Sequence, residues 1–189
     1  MTSRYSCAGF LLLAFWMQPL VAQTPSLEAT LEAMNEIYRT DGGYHVEHDI
    51  NTNIGYFNTY TFKPTRIAVD QTDPNNTTLT LHYEDESIQY RGEDGRKENV
   101  MTDKDQIVLN AVDPESIEVT ERGTFSDGTK MGGYLITFKC MAACFFNARW
   151  DQWGSDGFLK IGQLESARRL ARALQHAARL IPRKKPPAF

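Results

Sequence analysis

Apolar positions near the end of the chain repeat with the period of a helix: Leu164, Ala167, Leu170, Ala171, Leu174, Ala177, Ala178 and Ile181 fall on one stripe. Arg168, Arg169, Arg172, Gln175, His176 and Arg179 fill the remainder. The pattern predicts an amphipathic helix that packs on a sheet, brought close by its alanines and stopped by Pro182. A second helical pattern, Leu27, Leu31, Met34, Ile37 and Tyr38, follows Thr24-Pro25, which caps and opens it, and ends at Gly42-Gly43. Between the two helices the pattern shortens to runs rich in Ile, Val, Thr, Tyr and Phe, separated by turn clusters such as Asp73-Pro74-Asn75-Asn76, Glu93-Asp94-Gly95 and Ser126-Asp127-Gly128. These runs predict strands near Tyr44 to Ile50, Ile54 to Lys63, Arg66 to Asp70, Thr78 to Tyr83, Ser87 to Arg91, Gln106 to Leu109, Ile117 to Arg122, Tyr134 to Cys140, Cys144 to Trp150 and Gly157 to Ile161.

The fold class expected is therefore α+β: a curled antiparallel sheet or partial barrel with an N-terminal helix and a C-terminal amphipathic helix packed on it. With no repeat and no dividing linker, residues 24–181 are expected to form a single domain. Residues 182–189, with Arg183-Lys184-Lys185-Pro186-Pro187, are too poor in apolar side chains to fold and are expected to be a disordered tail. The start differs from everything that follows. Arg4 precedes an apolar run from Ala8 to Ala22, broken by Gln18 and Pro19 and too short to span a bilayer, so residues 1–23 are expected to be a cleaved secretory signal. Cys7 lies before that run, where no lipid anchor attaches, and no second long apolar stretch follows. The mature chain is thus expected to lack a transmembrane segment and to be exported, to the periplasm or the medium if the source is bacterial.

Export leaves two cysteines, Cys140 and Cys144, in an oxidising compartment, where a structural disulfide is expected. On one continuous strand their Cα atoms would lie roughly 13 Å apart, so the chain must turn between them. A hairpin around Met141-Ala142-Ala143 would pair Phe138 with Phe146, Ile136 with Ala148 and Tyr134 with Trp150. A one-turn helical bridge is the alternative backbone. Redox and metal roles are the alternatives in chemistry, disfavoured by a spacing unlike Cys-x-x-Cys and by the want of further ligands.

Charge narrows the partners. The full chain has 20 Lys and Arg against 24 Asp and Glu, a formal charge of −4, and losing Arg4 with the signal makes it more acidic. No nucleic-acid binding is expected. The basic residues crowd the end: Arg168, Arg169, Arg172, Arg179, Arg183, Lys184 and Lys185 form a candidate surface for an anionic partner, against the plainer reading of a solvated helix with its C-terminal dipole offset. His45, Glu47 and Asp49 share one strand face, and His82 and Glu84, with Glu86, repeat the arrangement; they could hold a metal only if the two strands met, and a solvated face is the simpler expectation. Asn75-Asn76-Thr77-Thr78 contains glycosylation-type sequons, which matter in a eukaryotic secretory route and otherwise read as a turn. No nucleophile elbow, His-Glu-x-x-His, phosphate loop or dinucleotide glycine pattern occurs, so no catalytic residue and no cofactor is assigned.

The final hairpins, the strand Gly157-Phe158-Leu159-Lys160-Ile161 and the helix Glu165-Ser166-Ala167-Arg168-Arg169-Leu170-Ala171 together resemble the pleckstrin-homology-like superfold over residues 54–181. The chain departs from it by an added N-terminal helix, extra strands, the signal and the cysteine pair. The resemblance implies a scaffold that binds peptides or lipid headgroups; no phosphoinositide motif carries over. Three functions follow as expectations. The first is an exported non-catalytic binding domain for a protein or envelope component, marked by an exposed apolar or basic patch beside the last helix. The second is a carrier of a small hydrophobic ligand or lipid, with Tyr56, Phe57, Tyr60, Phe62, Phe138, Phe146 and Trp150 as lining candidates against ordinary core packing. The third is a metal-dependent hydrolase using the His45 and His82 patches.

Overall fold

The computed structural model describes residues 24–51, 56–72, 76–91, 95–125 and 128–182. Residues 1–23, expected to be a signal, Asn75 of the expected sequon turn and the basic residues Arg183, Lys184 and Lys185 lie outside the described residues, as do the side chains of Asp49, Tyr56 and Phe57. The class is α+β: the described residues form two helices and an antiparallel arrangement of strands that does not close into a barrel.

Helix α1 spans Leu27–Asp41. Its N-cap is Ser26, whose hydroxyl accepts from the Ala29 N–H at 3.2 Å, so the cap lies beyond the Thr24-Pro25 pair expected to open the helix. Leu31, Met34, Ile37 and Tyr38 face inward, and the Gly42 N–H closes the last turn on the Tyr38 carbonyl. Four strands then run up and down: β1 Tyr44–Asn51, β2 Tyr56–Asp70, β3 Thr78–Arg91 and β4 Gly95–Val108. Two of them merge what the sequence divides. Pro64 does not end a strand but sits at a register shift between Pro64 and Arg66, where a residue without an N–H is tolerated, and β2 continues. Glu84-Asp85-Glu86 likewise stays extended within β3, because its side chains alternate between solvent and an open cleft. Strand β4 was expected only near Gln106 to Leu109, yet it pairs with β3 from Gly95 opposite Arg91 to Val108 opposite Thr78.

Two 3₁₀ turns, Leu109–Ala111 and Pro114–Ser116, lead to β5 Glu118–Glu121. Strands β6 Tyr134–Lys139, β7 Phe145–Asn147, β8 Gln152–Gly154 and β9 Asp156–Ile161 follow, and α2 Leu164–Leu180 ends the fold. The strands form two sheets, β1-β2-β3-β4-β7-β8 and β5-β6-β9.

This order corrects the expected hairpin. Cys140 and Cys144 are at disulfide distance, with Cα atoms 5.7 Å apart, but β6 and β7 belong to different sheets. Phe138 faces Gly157, Ile136 faces Leu159 and Tyr134 faces Ile161, all on β9, while Phe146 faces Gln106 of β4 and Trp153 of β8. Ala148 and Trp150 lie in a turn. The cysteines approach where the chain leaves one sheet for the other, so their closeness carries no ladder register away from them.

Helix α2 packs with Ala167, Leu170, Ala171, Leu174, Ala177 and Ala178 against α1 and the small sheet. Ile136, Phe138, Leu159 and Ile161 of that sheet join Leu79, Leu81 and Ile107 of the large one in a common core. The Ser166 hydroxyl donates to Asp41 at 2.9 Å and ties the two helices. Core contacts fill the half of the large sheet nearest the helices and leave the far half of β2, β3 and β4 overhanging.

Candidate functional site

Along the inner face of β3 and β4 the side chains change from apolar to polar. Leu79, Leu81 and Ile107 are buried; beyond them come Tyr83, Asp85, Asp103, Asp105 and Met101. Opposite this face, β9 presents Phe158 and Lys160, β6 presents Leu135, and the segment after β5 brings in Arg122 and Met131. Between them lies a cleft of two joined lobes, about 320 Å³ and about 260 Å³, which share Asp85, Arg122, Met131, Arg149 and Lys160. Tyr44, Tyr60 and Phe125 wall the second lobe, where Phe125 stacks between His48 at 3.9 Å and Tyr60 at 5.6 Å.

Each charged group of the cleft has a distinct setting. Lys160 Nζ donates to Asp85 at 2.8 Å and lies over the Phe62 and Tyr83 rings at 5.1 and 5.5 Å. Asp105 is 5% exposed; it accepts the Ala148 N–H at 2.9 Å and the Tyr83 hydroxyl at 3.3 Å. Burial pushes its carboxyl above the usual range, against the opposing pull of those two donors and of Lys160. The same burial, with Asp105 and Asp103 beside it, raises the Tyr83 phenol. Arg122 donates through Nη1 to the Tyr44 hydroxyl and to the Met131 and Gly132 carbonyls, and its guanidinium lies 4.9 Å from the Tyr44 ring centre. Gly132 and Gly133 make this possible: both have positive φ, 67° and 69°, and a Cβ on Gly133 would sit 2.7 Å from the Ile161 carbonyl oxygen. Desolvation raises Tyr44 to about 12 despite the nearby Arg122 charge.

The rim is built by the turn between β7 and β8. Asn147 accepts the Trp150 N–H with its side chain at 3.2 Å, Asp105 holds the Ala148 N–H, and Asp151 takes a positive φ of 50°. This presents Arg149 and Trp150 outward, Trp150 being 67% exposed and the two side chains 5.8 Å apart in cation–π geometry. Trp153, 50% exposed, packs on Phe146 on the other face of the same hairpin. Exposed aromatic side chains thus stand on this hairpin, and the last helix carries the exposed arginines Arg168, Arg169, Arg172 and Arg179.

The residues singled out from sequence are placed otherwise. His45 and Glu47 point outward from β1, with the His45 ring bonded to Thr61 at 2.8 Å and 3.8 Å from Glu47. Asp49 stands on the same strand. His82 and Glu84 are on β3, and β2 lies between, so the two sets do not meet. His82 pairs across the strands with Arg66 and Lys104; desolvation first, and then these charges, lower its pKa. Glu86 pairs with Lys63 at 3.3 Å. Among the described residues no three His, Cys, Asp or Glu side chains converge as ligands. On α2, Arg168 pairs with Glu165 at 2.6 Å and Arg179 with Glu115 at 2.8 Å, while Arg169 and Arg172 are exposed. Of the aromatic lining candidates, Tyr60 and Trp150 border the cleft, Phe62 and Phe138 are core, and Phe146 supports Trp153. Comparisons with family models, curated proteins and solved structures found no match. No helix among the described residues is long and apolar enough to cross a membrane.

Proposed function

We propose that the protein is an exported, non-catalytic binding domain for a protein or envelope component, and that the component is held in the cleft between the two sheets. One observation carries the reading: an outward-facing tryptophan and arginine, Trp150 and Arg149, stand at the rim of a concave wall of tyrosines and charged groups. Trp, Tyr and Arg are the residues that dominate binding energies at interfaces, and the turn holds Trp150 and Arg149 together at the rim. Two of the cleft carboxylates are tied into the scaffold, Asp85 by Lys160 and Asp105 by Tyr83 and Ala148, as expected of a receptor wall. Export rests on the apolar run between Ala8 and Ala22.

Native and denaturing mass spectrometry of the protein recovered from its own compartment test the proposal. The denatured mass is expected to lack the signal segment. Extra mass is expected under native conditions in the wild-type chain and is expected to be lost from Trp150→Ala, whose unfolding curve should be unchanged. Extra mass retained equally by Trp150→Ala would place the ligand elsewhere on the molecule.

A further inference from the structure

We propose that the cleft anchors an oxyanion, the carboxylate or phosphate group of the bound component, between the guanidinium groups of Arg122 and Arg149. The inference rests on the binding role proposed above and names the chemistry that the site selects. Three cations border the two lobes, and among the described residues only Lys160 has a carboxylate partner, Asp85. Asp105 is occupied by the Ala148 N–H and the Tyr83 hydroxyl. Arg122 is half-buried, yet its three acceptors among the described residues are neutral oxygens, all reached through Nη1. Among the described residues no carboxylate lies within ion-pair distance of Arg122 or of Arg149, and Arg149 borders both lobes. A guanidinium carries five N–H donors in a planar fork matched to an oxyanion, and a partly desolvated cation without a counter-charge favours the arrival of one. The first lobe sets Asp85, Asp103 and Asp105 against Arg122, Arg149 and Lys160, whereas the second has Asp85 alone against the same three cations, so the anion is expected on the second-lobe side, and the carboxylates of the first disfavour an extended polyanion relative to a single charged group.

The test uses the full mature chain, with the arginine Nε–Hε signals followed by nuclear magnetic resonance during titration with sodium phosphate or sodium acetate at constant ionic strength. The Arg122 and Arg149 signals are expected to shift saturably at millimolar concentration. Tighter response to phosphate points to a headgroup or phosphorylated polymer, and tighter response to acetate to a peptide carboxylate. Arg149→Gln, an exposed site whose loss leaves the fold intact, should weaken the preferred anion at least about tenfold, equivalent to about 1.4 kcal/mol. Arg172→Gln on α2 should leave it unchanged. No saturable shift with either salt, full affinity in Arg149→Gln, or equal loss in Arg172→Gln would overturn the assignment. If native extra mass is present and sensitive to Trp150→Ala while neither salt binds, the anion assignment fails and the binding reading stands; if both responses are absent, both fail.

Discussion

Asp105 and Gly157 show how single positions hold the cleft to the core. The Asp105 carboxylate reaches from β4 to the Ala148 N–H and thereby fixes the turn that carries Arg149 and Trp150. Burial raises its pKa in the folded chain, so its contribution to stability is complete below the unfolded-state pKa and is lost as pH rises through the folded value. Asp105→Asn keeps an oxygen for the Ala148 N–H but cannot ionise. Its stability relative to wild type is therefore expected to improve from acid to neutral pH, which urea unfolding at two pH values measures; a gap independent of pH would deny the buried charge any role. Gly157 lies under the Phe138 ring, and a Cβ there would approach Phe145 Cβ to 2.9 Å. Gly157→Ala is expected to cost about 1–3 kcal/mol by overpacking, read as a lower unfolding midpoint.

Helix α2 was legible because its stripe spans five turns with one side apolar, and the same regularity makes it breakable. Leu174 is fully buried against the small sheet and α1. Leu174→Asp is expected to destabilise the fold by several kcal/mol, since it puts an unpaired charge in the core; unchanged thermal unfolding would show that the helix does not pack. Helix α1 and the strands near Tyr44, Thr78, Tyr134 and Gly157 were legible for a similar reason, having alternating or periodic apolar faces. The distal half of β4 was not. From Arg96 to Val100 every side chain is exposed, and of the stretch to Lys104 only Asn99, Met101 and Asp103 face the cleft, so no apolar alternation marks it, and its strand character comes from pairing with β3. The cleft charges were hidden with it, because Asp85, Asp103, Arg122, Arg149 and Lys160 come together only through that pairing and the change of sheet after Cys140. The cysteines told that the chain turns but not which way. If they are joined, both thiols should resist a thiol probe without reductant, and the Cys140→Ser, Cys144→Ser double variant should lose about 2 kcal/mol for a loop this short.

At the scale of the whole molecule, the two helices and the small sheet fill one end of a curled large sheet and leave the other end open, lined with polar groups. A core that stops halfway along the strands provides rigidity and a concave surface in one chain, since the long strands are anchored at their buried ends. The arrangement has a second outcome along its margin. Beyond the two-residue ladder with β7 at Gln106 and Ile107, β4 is paired on one side only among the described residues, from Gly95 to Asp105. Such a margin is a template on which another copy of the chain could add a strand and propagate a fibre. Arg96, Lys97, Glu98, Asp103 and Lys104 fall within it, so every copy brought edge to edge meets a row of charges. The same residues that erased the strand from the hydrophobic pattern are of the kind that keeps sheet edges from pairing, and exchanging Lys97, Glu98 and Lys104 for threonine should raise the fraction of the protein that sediments.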